Sequence, residues 1–207
     1  MLIKLWPQKE AAKIEKLIKQ HAHRGEYAVF DADNTIWHQD LSETLLPCLE
    51  KKKILTVQNL DPSLKPIPFH PQDTLLSYGF RLYDIDLKIG YPWFAQVFSG
   101  LTLAALKEHV DDLFALNGSR IPGKRWENGK LVDTIAKSPR IYPAQRELIN
   151  ALQANGIEVY VITAALEELT RMVVSDPKYG LNVKPENVIG GSCLLKDRKT
   201  QELTTAG

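Results

Sequence analysis

Asp31 and Asp33 stand two positions apart at the end of the short apolar run Tyr27-Ala28-Val29-Phe30, and Asn34 and Thr35 follow them. Two carboxylates held that close repel each other unless they share a cation. A hard ion such as Mg²⁺ suits the arrangement, because it keeps several waters and completes its shell with carboxylate and phosphate oxygens. In that setting Asp31 can attack phosphorus as a nucleophile, and a neighbouring Mg²⁺ would keep it ionised. Asp33 can protonate the leaving alcohol and later take a proton from water. The plainer alternative is a pair of aspartates capping a turn ahead of Leu41. The buried strand before them and the Asn34-Thr35 pair after them favour the chemical reading.

A second candidate lies far along the chain. Residues 157–162 are apolar and β-branched, so they predict a strand, and Thr163-Ala164-Ala165 turns from it into a helix over 166–175. A hydroxyl beside the free N–H groups of a helix start, that of Ala164 among them, can cradle a phosphate. Threonine is also a good N-cap for purely structural reasons.

The elements that would position these groups follow an α/β rhythm with an interruption. Residues 7–23 predict an amphipathic helix, with Ala11, Ile14, Leu17 and Ile18 on one face, Pro7 at its start and Gly25 beyond its end. Helices are expected near 41–52, 73–84, 92–99 and 102–116, around a proline-rich stretch at 61–68 that cannot be regular helix. This block, 38–142, reads as a mostly helical cap inserted into a parallel-sheet core made of 1–37 and 143–207. The core resumes with a helix over 143–153, the 157–162 strand, a further strand at Val188-Ile189-Gly190 and a hairpin at 192–195 and 202–205. The fold class is therefore α/β, Rossmann-like, with a helical insertion.

Composition narrows the partners. A net charge of +1 gives no electrostatic case for nucleic acid or an anionic membrane surface. No run reaches the roughly 18 apolar residues of a membrane span. Met1 to Trp6 is too short for a signal-peptide core, so the chain as written is expected in the cytoplasm. Cys48 and Cys193 form no metal or redox motif and read as small apolar side chains.

The two motifs, in this order and with a helical insertion between them, resemble the haloacid-dehalogenase superfamily of Mg²⁺-dependent phosphatases. The segments Asp31-Ala32-Asp33-Asn34-Thr35-Ile36-Trp37-His38, Tyr91-Pro92-Trp93, Ala95-Gln96-Val97-Phe98-Ser99-Gly100 and Asp176-Pro177-Lys178-Tyr179-Gly180 are similar to the phosphorylcholine phosphatases. So are Asn155 to Ile162 and Lys184 to Gly190, which extends the resemblance over nearly the whole chain. It implies hydrolysis of a small phosphomonoester, phosphorylcholine first, commonly in the periplasm.

It also implies that Asp31 and the main-chain carbonyl of Asp33 ligate Mg²⁺ and that Thr163 and Ala164 hold phosphate. A quaternary ammonium needs aromatic faces and a carboxylate, and the resemblance places Glu43 and the Tyr78 neighbourhood on that side, with Trp37 a further aromatic candidate. The family's Tyr-Tyr-Asn is matched there to Tyr78-Gly79-Phe80, and its Glu pair to Ser42-Glu43. The superfamily's lysine and later acidic pair have no match up to Gly207. The 207-residue polypeptide alone is therefore expected to bind Mg²⁺ weakly and to hydrolyse little.

Overall fold

The computed structural model describes residues 3–205. Helix α1 (Gln8–His21) leads through Gly25, at φ +74°, into β1 (Tyr27–Phe30). A left-handed φ of that kind costs glycine little. Next come β2 (Trp37–His38) and the helices α2 (Leu41–Lys51), α3 (Leu75–Ile85), α4 (Leu87–Gln96) and α5 (Leu103–Ala115). The strands β3 (Arg120–Glu127), β4 (Lys130–Lys137) and β5 (Arg140–Ile141) follow. The chain continues with α6 (Pro143–Ala154), β6 (Glu158–Leu166), α7 (Glu167–Val174) and β7 (Val188–Gly191), then β8 (Leu195–Lys196) and β9 (Leu203–Thr204).

β1, β6 and β7 form a parallel sheet in the order β1-β6-β7, with Phe30 level with Val161 and Val161 level with Val188. Parallel strands require crossover connections, and α7 supplies the one from β6 to β7. Val159, Val161 and Val188 face inward and are buried. This is the Rossmann-like arrangement expected from the apolar runs at 27–30, 157–162 and 188–190.

The intervening stretch leaves and rejoins the sheet layer at a single place. β2 pairs antiparallel with β5, Trp37 with Ile141 and His38 with Arg140, and Tyr142 N–H donates to the Ile36 carbonyl at 2.9 Å. Its helices begin where side-chain oxygens accept from the orphan N–H groups of a first turn. Asp40 caps α2, Thr74 and Ser77 form a capping box on α3, Asp86 caps α4, and Thr102 caps α5. Residues 61–68 form a short 3₁₀ turn and irregular chain, and Trp93 Nε1–H holds the turn by donating to Leu64 O at 2.8 Å. A polar latch joins α5 to the segment after α7. Lys107 meets both Asp111 and Asp176 at 2.6 Å, and Tyr179 O–H donates to Asp111 at 2.6 Å.

Three details depart from the sequence expectation. Between α5 and β5 the insertion carries a β-hairpin, β3–β4, paired from Arg120↔Lys137 to Glu127↔Lys130, so it is not purely helical. The turn is Asn128-Gly129, both at positive φ, which matches the right-handed twist of flanking strands. α4 starts at Leu87 rather than near Pro92 and carries that proline inside it. Finally, β6 runs on to Leu166 through an irregular register after Ile162, so the Thr163-Ala164-Ala165 segment belongs to a strand and not to a helix start.

Gly79 on α3 is a close approach between two helices of the insertion. A Cβ there would stand 2.5 Å from Phe94 Cζ and 2.7 Å from Trp93 Cζ3. Both rings are buried, so neither can swing out of the way. Gly79→Ala is expected to destabilise by about 1–3 kcal/mol through overpacking, despite alanine's better helix propensity. A lowered urea midpoint with an unchanged slope would show it.

Candidate functional site

The chain makes a tight turn immediately after β1. Ala32 O accepts from Ile36 N–H at 2.8 Å and from Thr35 N–H at 3.2 Å. Asn34 takes a φ of +57°, and its side-chain Oδ1 accepts from Gln39 N–H at 2.9 Å. Asparagine tolerates the left-handed region better than most residues, which gives Asn34 a structural reason to follow Asp33.

The turn sends its two aspartates into different surroundings. Asp31 is exposed, and its Oδ2 accepts from the Thr35 hydroxyl at 3.3 Å. Asp33 is drawn inward, where one oxygen accepts from Trp37 Nε1–H at 2.7 Å and from Leu41 N–H at 2.9 Å. Burial and then the charge on Asp40 push the Asp33 carboxyl up to about 8, against the pull of those two donors. Asp33 is therefore a protonated acid near neutral pH, with one oxygen committed and the other able to donate.

Two further carboxyls complete the cluster. Asp40, the N-cap of α2, accepts from Glu43 N–H at 2.9 Å and is raised by burial, with the charge on Asp31 adding to the rise. Burial and then Asp40 push Glu43 up to about 7. Among the described residues no lysine, arginine or histidine forms an ion pair with Asp31, Asp33, Asp40 or Glu43. Such a group favours any cation that enters.

Tyr83 on α3 borders this cluster. Burial, then the charges on Asp40 and Glu43, raise its phenol, so it stays an O–H donor. Its ring stacks on Phe94 at 4.9 Å and meets the edge of Tyr91 at 5.1 Å. Sequence reading missed both Asp40 and Tyr83. Asp40 looks like any helix cap, and Tyr83 is marked only by its place on the α3 face two turns from Leu75.

The other sequence candidates separate clearly. Tyr78 is fully buried, stacked on Phe69 at 3.7 Å, and its hydroxyl donates to Ile67 O at 2.8 Å. Its contacts are those of packing inside the insertion, and Tyr83 occupies the position beside Glu43. Trp37 is also fully buried, edge-on to Phe114 at 6.0 Å, so it acts on the site by orienting Asp33 and offers no open ring face. Thr163 lies on β6 beside the β1 tip. Its hydroxyl oxygen accepts from Ala165 N–H at 3.1 Å, which leaves the hydroxyl proton to be donated elsewhere. Ala164 is exposed.

Among the described residues no three His, Cys, Asp or Glu side chains are grouped closely enough to enclose a metal ion. Mg²⁺ requires less, since one or two carboxylates with waters and a phosphate suffice. The exposed Asp31 and the adjoining backbone fit that lighter requirement.

An open parallel sheet with paired acids at one strand tip, beneath an inserted helical layer, defines an α/β protein whose ligand crevice lies at the carboxyl ends of the strands. Comparison with known proteins is consistent with that class and narrows it. The chain is similar to the phosphorylcholine phosphatase of Pseudomonas aeruginosa, at 55% identity over 205 residues, which are 97% of this chain and 58% of that protein. The chain thus spans somewhat over half the length of this curated relative. A solved structure, a conserved functionally unknown protein from Anaerococcus prevotii, shares the fold with a TM-score of 0.65 at 16% identity, over 98% of this chain and 72% of that one. No protein-family model matches. Among the described residues no helix is long and apolar enough to cross a membrane.

The acid cluster has a consequence for stability. A carboxyl held above its unfolded value binds its proton more tightly when folded. Its contribution is complete below about pH 4 and is lost as pH rises through the folded values of about 7 for Glu43 and about 8 for Asp33. In a chelating buffer the melting temperature is expected to fall steadily from pH 5 to pH 8.5, and Asp33→Asn is expected to flatten the decline. Circular dichroism melts across that range would check it, and a flat profile for the unmodified chain would contradict the burial described.

Proposed function

We propose that this chain carries the nucleophile-bearing part of a haloacid-dehalogenase-type phosphomonoester hydrolase acting on phosphorylcholine. One observation carries the reading: two aspartates two positions apart have environments that suit opposite roles, Asp31 exposed and Asp33 drawn inward onto the Trp37 indole and Leu41 N–H, where burial raises its carboxyl. Pairs of carboxyls whose surroundings separate their proton affinities mark acid and nucleophile assignments.

In this reading an Asp31 carboxylate oxygen attacks phosphorus as the phosphorus–alcohol bond breaks, and the alkoxide takes the Asp33 proton. Water then attacks the aspartyl-phosphate while Asp33 accepts its proton, which releases phosphate and restores Asp31. Mg²⁺, when bound by Asp31, the Asp33 carbonyl and substrate oxygen, would neutralise charge on the phosphoryl group. The Thr163 hydroxyl and the Ala164 N–H would hold the phosphate, and Trp37 would fix the direction of the Asp33 proton. The alcohol end would lie against Glu43, Asp40 and the Tyr83 ring, where uncompensated negative charge and an aromatic face suit a trimethylammonium group. The division into a core of 1–37 and 143–207 and a cap of 38–142 belongs to the same proposal, supported by the single β2–β5 stem.

The relative's printed name and the cationless carboxyl cluster favour phosphorylcholine over an uncharged alcohol. The lysine and later acidic pair of the superfamily would lie in the portion of the relative that has no counterpart here. A chimera in which this chain replaces the matched stretch of the relative should therefore hydrolyse phosphorylcholine, and the 207-residue chain alone should do so far more slowly. Equal rates would refute that. In the chimera, Asp31→Asn is expected to cut turnover roughly a thousandfold or more. Glu43→Gln is expected to raise KM for phosphorylcholine while leaving that for p-nitrophenyl phosphate unchanged. A substrate panel with and without N-methyl groups separates this reading from a phosphatase for phosphoserine or phosphoethanolamine.

A further inference from the structure

The indole that grips Asp33 has to be aimed by something. Pairing of Trp37 with Ile141, and the Tyr142 N–H bond to Ile36 O, fix the backbone at Trp37. They leave the torsion between Cβ and the ring open, because a torsion of that kind is broad and roughly two-fold. Half a turn about it would carry Nε1–H away from the Asp33 oxygen that it reaches at 2.7 Å. The Asp33 carboxyl has the same freedom about its own last bond. Leu41 N–H meets the same oxygen at 2.9 Å, but one donor leaves the carboxyl plane able to turn about it. Two donors, one from β2 and one from the first turn of α2, set that plane and leave the second oxygen for the proton.

Packing makes the choice for the indole. Trp37 is fully buried, and among the described residues Phe114 is the one aromatic ring against it, edge to face at 6.0 Å and 85°. An edge-to-face contact depends on the angle between the rings, which an aliphatic contact does not. Phe114 is itself held. Asp111 and Lys107 lie one and two turns before it on the same face of α5. The 3₁₀ turn Pro177–Tyr179, which follows α7, docks on that face. The buried Tyr179 ring meets Phe114 at 5.0 Å, and its O–H donates to Asp111 at 2.6 Å. Lys107 joins Asp111 to Asp176, the cap of the turn, at 2.6 Å to each. Phe114 thus stands between an element of the sheet layer and the residue that orients Asp33.

We infer that Phe114 is a positioning residue for Asp33, acting through the Trp37 indole. Its ring selects the indole direction that occupies one Asp33 oxygen and keeps the other free for proton transfer. The catalytic consequence rests on the reading of Asp33 as acid and base, whereas the aiming of Trp37 stands on geometry alone. The plainer role for Phe114 is to fill the space beneath α5. The two differ in what a change at Phe114 does to one particular N–H.

All four indole N–H groups of the chain donate within the protein, Trp6 to Ala144 O, Trp93 to Leu64 O, Trp126 to Asp73 and Trp37 to Asp33. Nitrogen-15 spectra of the 207-residue chain therefore contain their own comparison, with Trp37→Phe assigning the signal of interest. Phe114→Leu should speed exchange of the Trp37 indole proton with water roughly tenfold relative to the other three. Exchange is the quantity to read, because loss of the Phe114 ring current alone would move the chemical shift. Phe98→Leu, which removes another buried ring, should not single out Trp37. Should Phe114→Leu not fold, Phe114→Met replaces it, since a flexible side chain fills the gap without offering a ring. An unchanged Trp37 rate, or equal acceleration of all four protons, would overturn the inference. In the chimera, Phe114→Leu should lower kcat for phosphorylcholine about tenfold with KM within about twofold, and should add little to Trp37→Phe. Additive losses would overturn the route through Trp37. If Asp33→Asn left turnover intact, the acid reading would fall, and the exchange rates would still decide what Phe114 does.

Discussion

Carboxyl groups gathered without a compensating cation are the constraint around which the rest of this molecule is arranged. Asp31, Asp33, Asp40 and Glu43 come from the β1 turn and the start of α2, and mutual repulsion alone would spread them. They are held by donors that belong to the fold. The Trp37 indole and Leu41 N–H grip Asp33, the α2 first turn grips Asp40, and Thr35 reaches back to Asp31. Proton uptake relieves what remains, which is why burial leaves Asp33 and Glu43 with values near or above neutrality. A cation that entered would relieve the same repulsion, and would lower the proton affinity of the acids as it did so.

The same donors explain why the insertion is built as it is. The Trp37 ring that donates to Asp33 meets Phe114 of α5 edge-on. α5 in turn is fastened to the segment after α7 through Lys107, Asp111, Asp176 and Tyr179. Packing in the inserted layer is thereby connected, through one side chain, to the orientation of the Asp33 carboxyl at the strand tip. Stability and site geometry share residues here.

Much of this was legible in the sequence wherever a local physical rule operates alone. Helical periodicity with a capping residue located α1, α2, α5 and α6 to within two or three residues, and apolar runs located the three sheet strands. The D-x-D pair stood out because a buried strand ends on it. What stayed hidden depended on tertiary context. β3–β4 alternates only weakly, although Asn128-Gly129 between two such runs is a strong hairpin signal that went unused. β6 outruns its apolar stretch because pairing with β7 reaches Leu166, and no local cue announces that. Tyr78 and Tyr83 are both aromatic residues of one helix. Only the rotation of α3 against the β1 turn decides that Tyr83 meets the carboxyls while Tyr78 packs on Phe69.

The β2–β5 stem has an implication for how such a molecule can change over evolutionary time. Because Trp37 pairs with Ile141 and His38 with Arg140, about a hundred residues of inserted chain enter and leave through a doorway two residues wide. Asp31 and Asp33 lie on the sheet side of that doorway, whereas Asp40, Glu43 and Tyr83 lie beyond it. Another insert whose ends meet at the same spacing would leave the first pair untouched while replacing the wall they face. The paired acids and the wall they face are thus heritable as separate parcels.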